Sequence, residues 1–593
     1  MKKPNANGCP EVVLRGVGVS PGVVVALVYK LGPQETHFAE RSLGPDEIVQ
    51  EIERFRQAVQ DTRRQIELIQ NNIRHAVGQS DAGIFDMHLL LLEDDAFFGE
   101  TLRRIEQDHI NAEAAVRGVT NRYSEVLSAV EDNYLRERVA DVQDVARRVL
   151  MTLTGQKPHA LDGLRRKSII VASDLSPSET ASFRRGVVLG FATDLGSRTS
   201  HTAIMARALG IPAVVGLGDV TSQLSTGDEI LMDGTEGVVI LHPTAASLKQ
   251  YNARGKEREA ILAGLSSRRD QPAETLDGRR VVLSANIELT EEIPEIAKYG
   301  AEGVGLFRSE YLYIARADLP TEEQQLAVYK EAAERLAPKP VIIRTVDLGG
   351  DKFASSVAMA PEVNPFLGFR AIRFCLAQPA IFKTQLRAVL RAGAHGKVRL
   401  MYPMISSVGE VIAANARLDE CKAELRREGV EFDENIEVGV MIEIPSAALT
   451  ADLIAPHVSF FSMGTNDLVQ YTLAVDRVND RVAHLYEPTH PAVLRLMKST
   501  IDAGHARGIW VGVCGQMAGD PLMSALLVGL GIDELSMVPS SVPAVKETIR
   551  SITLQQAAAL ARSALAAGTA SDVLKACRDL LASAAPEILE LVR

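Results

Sequence analysis

The chain has 593 residues, with 64 Lys and Arg against 76 Asp and Glu, for a formal net charge of −12. Its 46% hydrophobic and 24% charged residues are the balance of a globular protein; a disordered chain lacks the apolar surface needed to fold. The excess of acid excludes a general nucleic-acid binder, which needs a basic face, and leaves room for a local basic patch.

At about 100–200 residues per domain the length corresponds to roughly three or four folding units, or fewer if one is a large α/β barrel. No stretch reaches the roughly 18 apolar residues of a membrane span, so no membrane insertion is expected. Lys2 and Lys3 are followed by polar residues and Pro4, and the first long apolar run, 22–29, reads as a strand rather than a signal peptide. The cysteines are Cys9, Cys375, Cys421, Cys514 and Cys577. Their odd number and the lack of a CxxC pair argue against a disulfide framework or zinc ribbon, and favour a reducing cytoplasm.

Residues 12–31 read as short strands punctuated by Gly18, Pro21 and Gly22. After Pro45, Asp46 and Glu47, a good helix start, the apolar residues Ile48, Ile52, Phe55, Val59, Ile66, Ile69 and Ile73 fall on one helical stripe. Helical text continues to about residue 155, which predicts a bundle; a coiled-coil dimer is the rival. From Lys167 strand-like text returns (SIIVASDL, GVVLGFATD, IPAVVGL, DEILMDGTEGVVIL). The expected organisation is therefore a multidomain α/β chain. An α/β domain of residues 1–32 and 160–243 carries an inserted helical subdomain, 33–159. A linker helix and polar hinge, 244–278, lead to a C-terminal domain, 279–593.

That last domain contains eight short apolar runs: VVLSANI, GVGLF, PVIIRTVD, VRLMYPMI, VGVMIEI, FFSMG, WVGVCG and ELSMV. Continuous apolar runs suit parallel strands buried on both faces. Eight βα units predict a closed (β/α)8 TIM barrel, with an open doubly wound sheet as the alternative. Barrel chemistry sits at the C-terminal strand ends. There the chain has Arg308, Ser309 and Glu310; Arg344 and Asp347; Glu443; Thr465, Asn466 and Asp467; and Cys514, Gly515 and Gln516, with Arg477 in the following loop of the sixth unit. Arg308, Arg344 and Arg477, joined by Lys352 and Arg370, match a small, highly charged anion, because guanidinium forks pair with carboxylate and phosphate oxygens. Glu443 and Asp467, with ligand oxygens and water, suffice for Mg2+. Structural salt bridges are the competing reading of the arginines, and a buried packing residue that of Cys514.

The segment 194–216, DLGSRTSHTAIMARALGIPAVVG, places His201 behind a Gly/Ser/Thr loop at the start of an amphipathic helix, with Ile204, Met205, Ala208 and Leu209 inward. A helix N-terminus suits a phosphoryl group; a helix cap with an incidental histidine is the alternative.

TSHTAIMAR with IPAVVG resembles the phosphohistidine signature of the phosphoenolpyruvate-utilising enzymes. GLFRSEYL, RTVDLGGDK, NPFLGFRAIRF, FFSMGTNDLVQYTLAVDR and VCGQMAGD resemble their phosphoenolpyruvate-binding half. The likeness runs from about residue 14 to about 550. With SPGVVVALVY, HLLLLEDDAF and ASDLSPSET it is closest to the enzyme I family of the bacterial sugar phosphotransferase system. The resemblance implies a phosphohistidine at His201, supported by Ser176, Thr199 and Ser200. It implies phosphoenolpyruvate binding by Arg308, Arg344, Asn466, Asp467 and Arg477, Mg2+ on Glu443 and Asp467, and Cys514 as proton donor. It also implies the carrier protein HPr as acceptor, docking on the inserted helices, and a homodimer formed through the barrel.

The chain departs from the family pattern at Ser197, where a glycine is common, and at Gln516, where a glutamate is common. The resemblance leaves three other readings: a pyruvate phosphate dikinase or phosphoenolpyruvate synthase, which needs an ATP-grasp domain ahead of the histidine domain; the nitrogen-related paralogue; and a non-catalytic phosphoenolpyruvate-binding signalling protein. Trp510, the single tryptophan, precedes Cys514 by four residues and is expected to report on ligand binding by fluorescence.

Overall fold

The computed structural model describes the chain outside residues 1–9, 21, 33–37, 78–87, 90, 93, 129–132, 156–163, 165, 176–178, 181–182, 184–185, 197–201, 204, 207–209, 315–317, 350–361, 363, 478, 480–481 and 593. It divides into two compact units, 1–257 and 258–593, with the boundary inside the helix Ala245–Ser267.

The first unit is built on an eight-stranded mixed sheet: β1 (Val12–Arg15), β2 (Val17–Ser20), β3 (Val23–Lys30), β4 (Ser168–Ala172), β5 (Val188–Thr193), β6 (Ala213–Val215), β7 (Glu229–Asp233) and β8 (Val238–Leu241), in the order β1-β8-β7-β3-β4-β5-β6-β2. β3 and β4 are parallel neighbours, with Leu27 opposite Ser168 and Lys30 opposite Val171. The helices Ile48–Val77, Glu100–Asp108, Ala112–Ser128 and Asn133–Leu153 all lie between them in sequence, as one long crossover.

The period-2 alternation of β4 explains its uniformly apolar text. Ile170 and Ala172 pack with Phe55, Ile66, Ile105, Val116 and Val149 of the helices. Ile169 and Val171 pack on the other face with Val220 and Leu224. Phe55, Val59 and Ile66 of the expected stripe are buried, and Ile48 and Ile52 pack at its edge. Burying a side chain of the size of Phe55 stabilises the unit by about 2–3 kcal/mol.

The second unit is a closed barrel of parallel strands: β9 (Val282–Ile287), β10 (Val304–Arg308), β11 (Val341–Arg344), β12 (Val398–Tyr402), β13 (Glu437–Ile442), β14 (Phe460–Met463), β15 (Trp510–Val513) and β16 (Glu534–Met537). Each coincides with one of the eight apolar runs, and Glu534 of β16 pairs with Val282 of β9 to close the ring. Leu306, Ile342, Met401, Met441 and Phe460 fill the interior with Cys514 and Trp510. The helices Leu554–Ala566 and Ala570–Ala584 bury Leu560, Ala561, Val573, Cys577 and Leu581 in the main barrel core. The approach to the helix Pro521–Leu530 is close enough that a Cβ on Gly529 would strike the Ala557 carbonyl. No helix among the described residues is long and apolar enough to cross a membrane.

Candidate active site at the barrel mouth

Strand direction alone brings the C-terminal ends of β10, β11, β13, β14 and β15 to one rim. The side chains there are held by one another. Arg344, at the end of β11, donates from Nη2 to Glu310 Oε1 at 2.9 Å and lies 3.1 Å through Nη1 from Asp347 Oδ2. Asp347 Oδ1 accepts from Arg370 Nε and Nη2 at 3.1 and 2.8 Å. Glu310 and Asp347 are buried and the two arginines largely so, Arg344 at 11% exposure. Burial by itself would lower the Arg344 pKa; the Glu310 and Asp347 carboxylates outweigh it and hold the guanidinium above its ordinary value. Arg370 also stands over the Phe366 ring at 5.8 Å.

Glu443 follows β13 and is 2% exposed; its Oε1 accepts the Met404 N–H at 2.6 Å, where Met404 has a φ of +57°. Burial, then the nearby Asp467 and Asp347 carboxylates, push its pKa well up, against the pull of Arg344 and the Met404 N–H. Asp467 lies in the helix Thr465–Leu473 behind β14, and its Oδ1 is 3.3 Å from Arg477 Nη1. Asn466 Oδ1 accepts the Gln516 N–H at 2.9 Å. Gln516, one of the departures from the family pattern, thus contributes through its backbone, its side-chain identity being immaterial to that bond.

Cys514 is 4% exposed, with Sγ 3.6 Å from the Met463 carbonyl. Burial pushes its thiol up to about 11, with Glu443 adding and Ser462, Arg344 and Arg308 opposing. It is a thiol, not a thiolate, at neutral pH. Arg308 donates from Nη1 to Glu288 Oε1 at 2.7 Å. Arg308, Asn466, Cys514 and Gln516 line a cavity of about 480 Å³ with Glu288, Glu292 and neighbouring residues.

Arg344 Nε and Thr465 Oγ1 are buried and have no hydrogen-bond partner among the described residues, while Asp467 Oδ1 and Arg477 Nη1 meet only in their ion pair. Buried polar atoms are rarely left so, and their gathering at one mouth marks a place for a polar ligand. Two proximate carboxylates, Glu443 and Asp467, fit a divalent cation that completes its shell with substrate and water. Among the described residues no group of three His, Cys, Asp or Glu side chains forms a cation cage.

The backbone around this mouth is tight. A Cβ on Gly515 would enter the Thr465 hydroxyl and stand 2.9 Å from the Thr465 nitrogen. Gly515→Ala is therefore expected to destabilise the barrel by about 1–3 kcal/mol and to displace the neighbouring Cys514. Chemical denaturation and substrate turnover, measured on one preparation, check both effects.

His201, Ser176, Ser197, Thr199, Ser200 and Lys352 lie outside the described residues. The flanking residues are placed: Thr202 Oγ1 donates to the Leu175 carbonyl at 2.7 Å, and Met205 is buried as expected. Asp194 Oδ1 accepts the Thr221 N–H at 2.9 Å, and Gly196, which follows soon after, has a φ of +117°. The backbone in this stretch thus needs glycine at 196, and glycine stands there.

Three features escaped the sequence. Glu310 and Asp347 stood among the strand-end residues without a role, and here they clamp Arg344. Glu288, which follows the first apolar run directly as Arg308 ends the second, also belongs to the site. Trp510 opens β15 and stacks on Phe460, the first residue of β14, at 4.6 Å between ring centroids. Four steps along the chain separate it from Cys514, about 13 Å, so it sits at the opposite end of the barrel and its fluorescence is a remote reporter.

Sequence comparison agrees with this layout. The N-terminal family of phosphoenolpyruvate-utilising enzymes matches residues 15–138, their mobile domain 164–237 and their phosphoenolpyruvate-binding domain 263–554. A phosphoenolpyruvate-protein phosphotransferase from Bacillus sp. (strain S) is 41% identical over 96% of this chain and 98% of its own length. One from Haemophilus influenzae is 43% identical over 95% of this chain and 98% of its own. A solution structure titled Enzyme I (nEIt) is 37% identical, covering 42% of this chain and 99% of its own, with a TM-score of 0.36. With near-complete coverage of curated relatives at this identity, the chain belongs to the phosphoenolpyruvate–protein phosphotransferase family of phosphoenolpyruvate-utilising enzymes.

Proposed function

We propose that this chain takes the phosphoryl group of phosphoenolpyruvate onto His201 and passes it to a histidine of the small carrier protein HPr, releasing pyruvate, as the first step of sugar phosphotransfer. The observation that carries this reading is the joining, at one barrel mouth, of a buried neutral thiol, Cys514, with Arg308, Arg344 and Arg477 and with unpartnered polar atoms. The relatives' names, taken with the match to all three family domains, support it.

Phosphoryl transfer requires in-line positioning and charge neutralisation more than covalent chemistry. Arg308, Arg344 and Arg477 neutralise the phosphate and carboxylate, and Asn466 and Asp467 orient them. Arg370 adds positive charge beside Asp347, and Lys352 is assigned the same role from the sequence. Mg2+ held by Glu443 and Asp467 would neutralise charge on the phosphate oxygens. Nε2 of His201, neutral near physiological pH, attacks phosphorus as the bond to the enolate oxygen breaks. Cys514 then gives its proton to the enolate carbon, which makes the step strongly downhill. Ser176, Thr199 and Ser200 are assigned to support the phosphohistidine, and the helix start expected there from the sequence would offer N–H donors to its phosphoryl group.

His201 has to serve both the barrel mouth and an acceptor on the helices of 33–159. We therefore assign the α/β domain of 1–32 and 160–243 a swivelling role, with the hinge in 244–278 and the phosphoenolpyruvate-binding barrel in 279–593. A homodimer formed through the barrel is part of this reading; exposed Ile412, Leu449 and Leu453 on its adjoining helices support it. A cytoplasmic setting fits the unpaired, buried Cys375, Cys421, Cys514 and Cys577.

The test is intact-protein mass after mixing with phosphoenolpyruvate and Mg2+ without ATP. One acid-labile phosphoryl group is expected on the wild type and none on His201→Ala. A wild type that gains no mass, or a His201→Ala chain that gains the same mass, would overturn the assignment.

A further inference from the structure

The cavity at the barrel mouth has an unexpected wall. A site for a multiply charged anion is lined by two carboxylates, Glu288 and Glu292. Glu292 is accounted for locally: its Oε2 accepts the N–H groups of Glu288 and Leu289 at 2.7 and 2.9 Å, capping the turn Thr290–Glu292. That turn fixes the backbone of Glu288. The Glu288 side chain then meets Arg308, with Oε1 2.7 Å from Nη1.

The two arginines that end adjacent strands differ in how they are held. Arg344 is buried between two carboxylates that are themselves 12% and 4% exposed. The Arg308–Glu288 pair is open, at 40% and 37%. An exposed ion pair is weak because water competes for both partners. A buried one is locked by the cost of leaving a charge unpaired. The Arg344 network therefore stays intact when an anion arrives, while Arg308 is free to change partners.

We propose, resting on the reaction assigned above, that Glu288 is a positioning residue whose carboxylate Arg308 exchanges for the substrate anion. Its carboxylate holds the guanidinium at the cavity wall that Cys514 also lines. When phosphoenolpyruvate enters, the multiply charged ligand outcompetes the single carboxylate for Arg308. Glu288 is then left as a like charge beside the anion, a repulsion that weakens binding. The residue orders Arg308 at the cost of affinity, a cost that a weakly charged ligand offsets less well than a multiply charged one.

The test is equilibrium binding of phosphoenolpyruvate with Mg2+, by calorimetry, to the full chain carrying His201→Ala so that no transfer follows. Adding Glu288→Gln is expected to lower Kd about three- to tenfold, since it removes both the competitor and the repulsion. Sulfate, read by competition with phosphoenolpyruvate, should tighten in parallel. Glu288→Asp keeps the charge and is expected to stay within about twofold of its parent. An unchanged Kd in Glu288→Gln overturns the proposal, because no competition was relieved. A raised Kd also overturns it, because Glu288 would then only be supporting the wall. The binding arm involves no chemistry, so a wild-type chain that fails to phosphorylate His201 would remove the assigned reaction and leave the Glu288 result to stand or fall by itself.

Discussion

Cys514→Ala is expected to lower the rate of pyruvate formation about 10²–10⁴-fold, the range that a positioned general acid contributes. The reason lies in the thiol's setting. Burial lifts it to about 11, so it remains protonated at neutral pH even beside Arg308 and Arg344. A thiol drawn down by those guanidinium groups would have no proton to give. The sign of the pH dependence follows. Activity carried by the thiol is level through neutral pH and falls only as pH rises through about 11, where the proton is lost.

Cys514→Ser keeps the size but donates from a much weaker acid, so it should fall close to the alanine variant. A lactate dehydrogenase-coupled assay of pyruvate checks all three chains, with phosphoenolpyruvate affinity measured alongside. A loss below tenfold in both variants, at unchanged affinity, would remove Cys514 from the acid role.

Arg344→Ala should be the most damaging change at the mouth, and for two separable reasons. It strands Glu310, which is 9% exposed and whose Oε1 also accepts the Asp347 N–H at 2.9 Å. Leaving a buried charge unpaired costs about 3–5 kcal/mol. Asp347 is hurt less, because Arg370 still holds it through two hydrogen bonds. Removing a donor aimed at the charge of the transferring group costs a further ~10²–10³ in kcat/KM.

Adding Glu310→Gln to Arg344→Ala is expected to restore part of the stability and none of the turnover. Urea unfolding of the four chains of this cycle separates the two effects. Equal recovery of both would mean that Arg344 acts only through the fold. Arg308→Ala, by contrast, breaks an open pair, and little stability should go with it.

Much of this molecule was legible in one dimension. The eight barrel strands were found because each is buried on both faces, so its residues read as an unbroken apolar run such as VIIR or FFSM. The long helix over Ile48–Val77 was found because one face alone is buried, which spaces Ile48, Ile52, Phe55, Val59 and Ile66 at three, four and seven. The site list then followed from a rule of the fold, that side chains just past parallel strands share one rim.

The tertiary structure decided who is paired with whom. Glu310 and Arg344 are 34 residues apart, Asp347 and Arg370 are 23, and Gln516 and Asn466 are 50. Such pairs are made between neighbouring strand ends, as for Glu310 with Arg344 and Asn466 with Gln516, or by a loop folding back, as for Asp347 with Arg370, and no periodicity within a segment carries them. Ring geometry also set Trp510 at the end of the barrel away from Cys514, because four steps along an extended chain are a long way in space although close in sequence.

The C-terminal helices show the same division: only the close approach of Ala557 to Gly529 shows that the helix Leu554–Ala566 packs on the barrel helix Pro521–Leu530. By itself the sequence determined which residues are apolar and in what period, hence the elements and the family. Only the tertiary structure determined which charge neutralises which, since an ion pair depends on separation through space and on the water excluded around it.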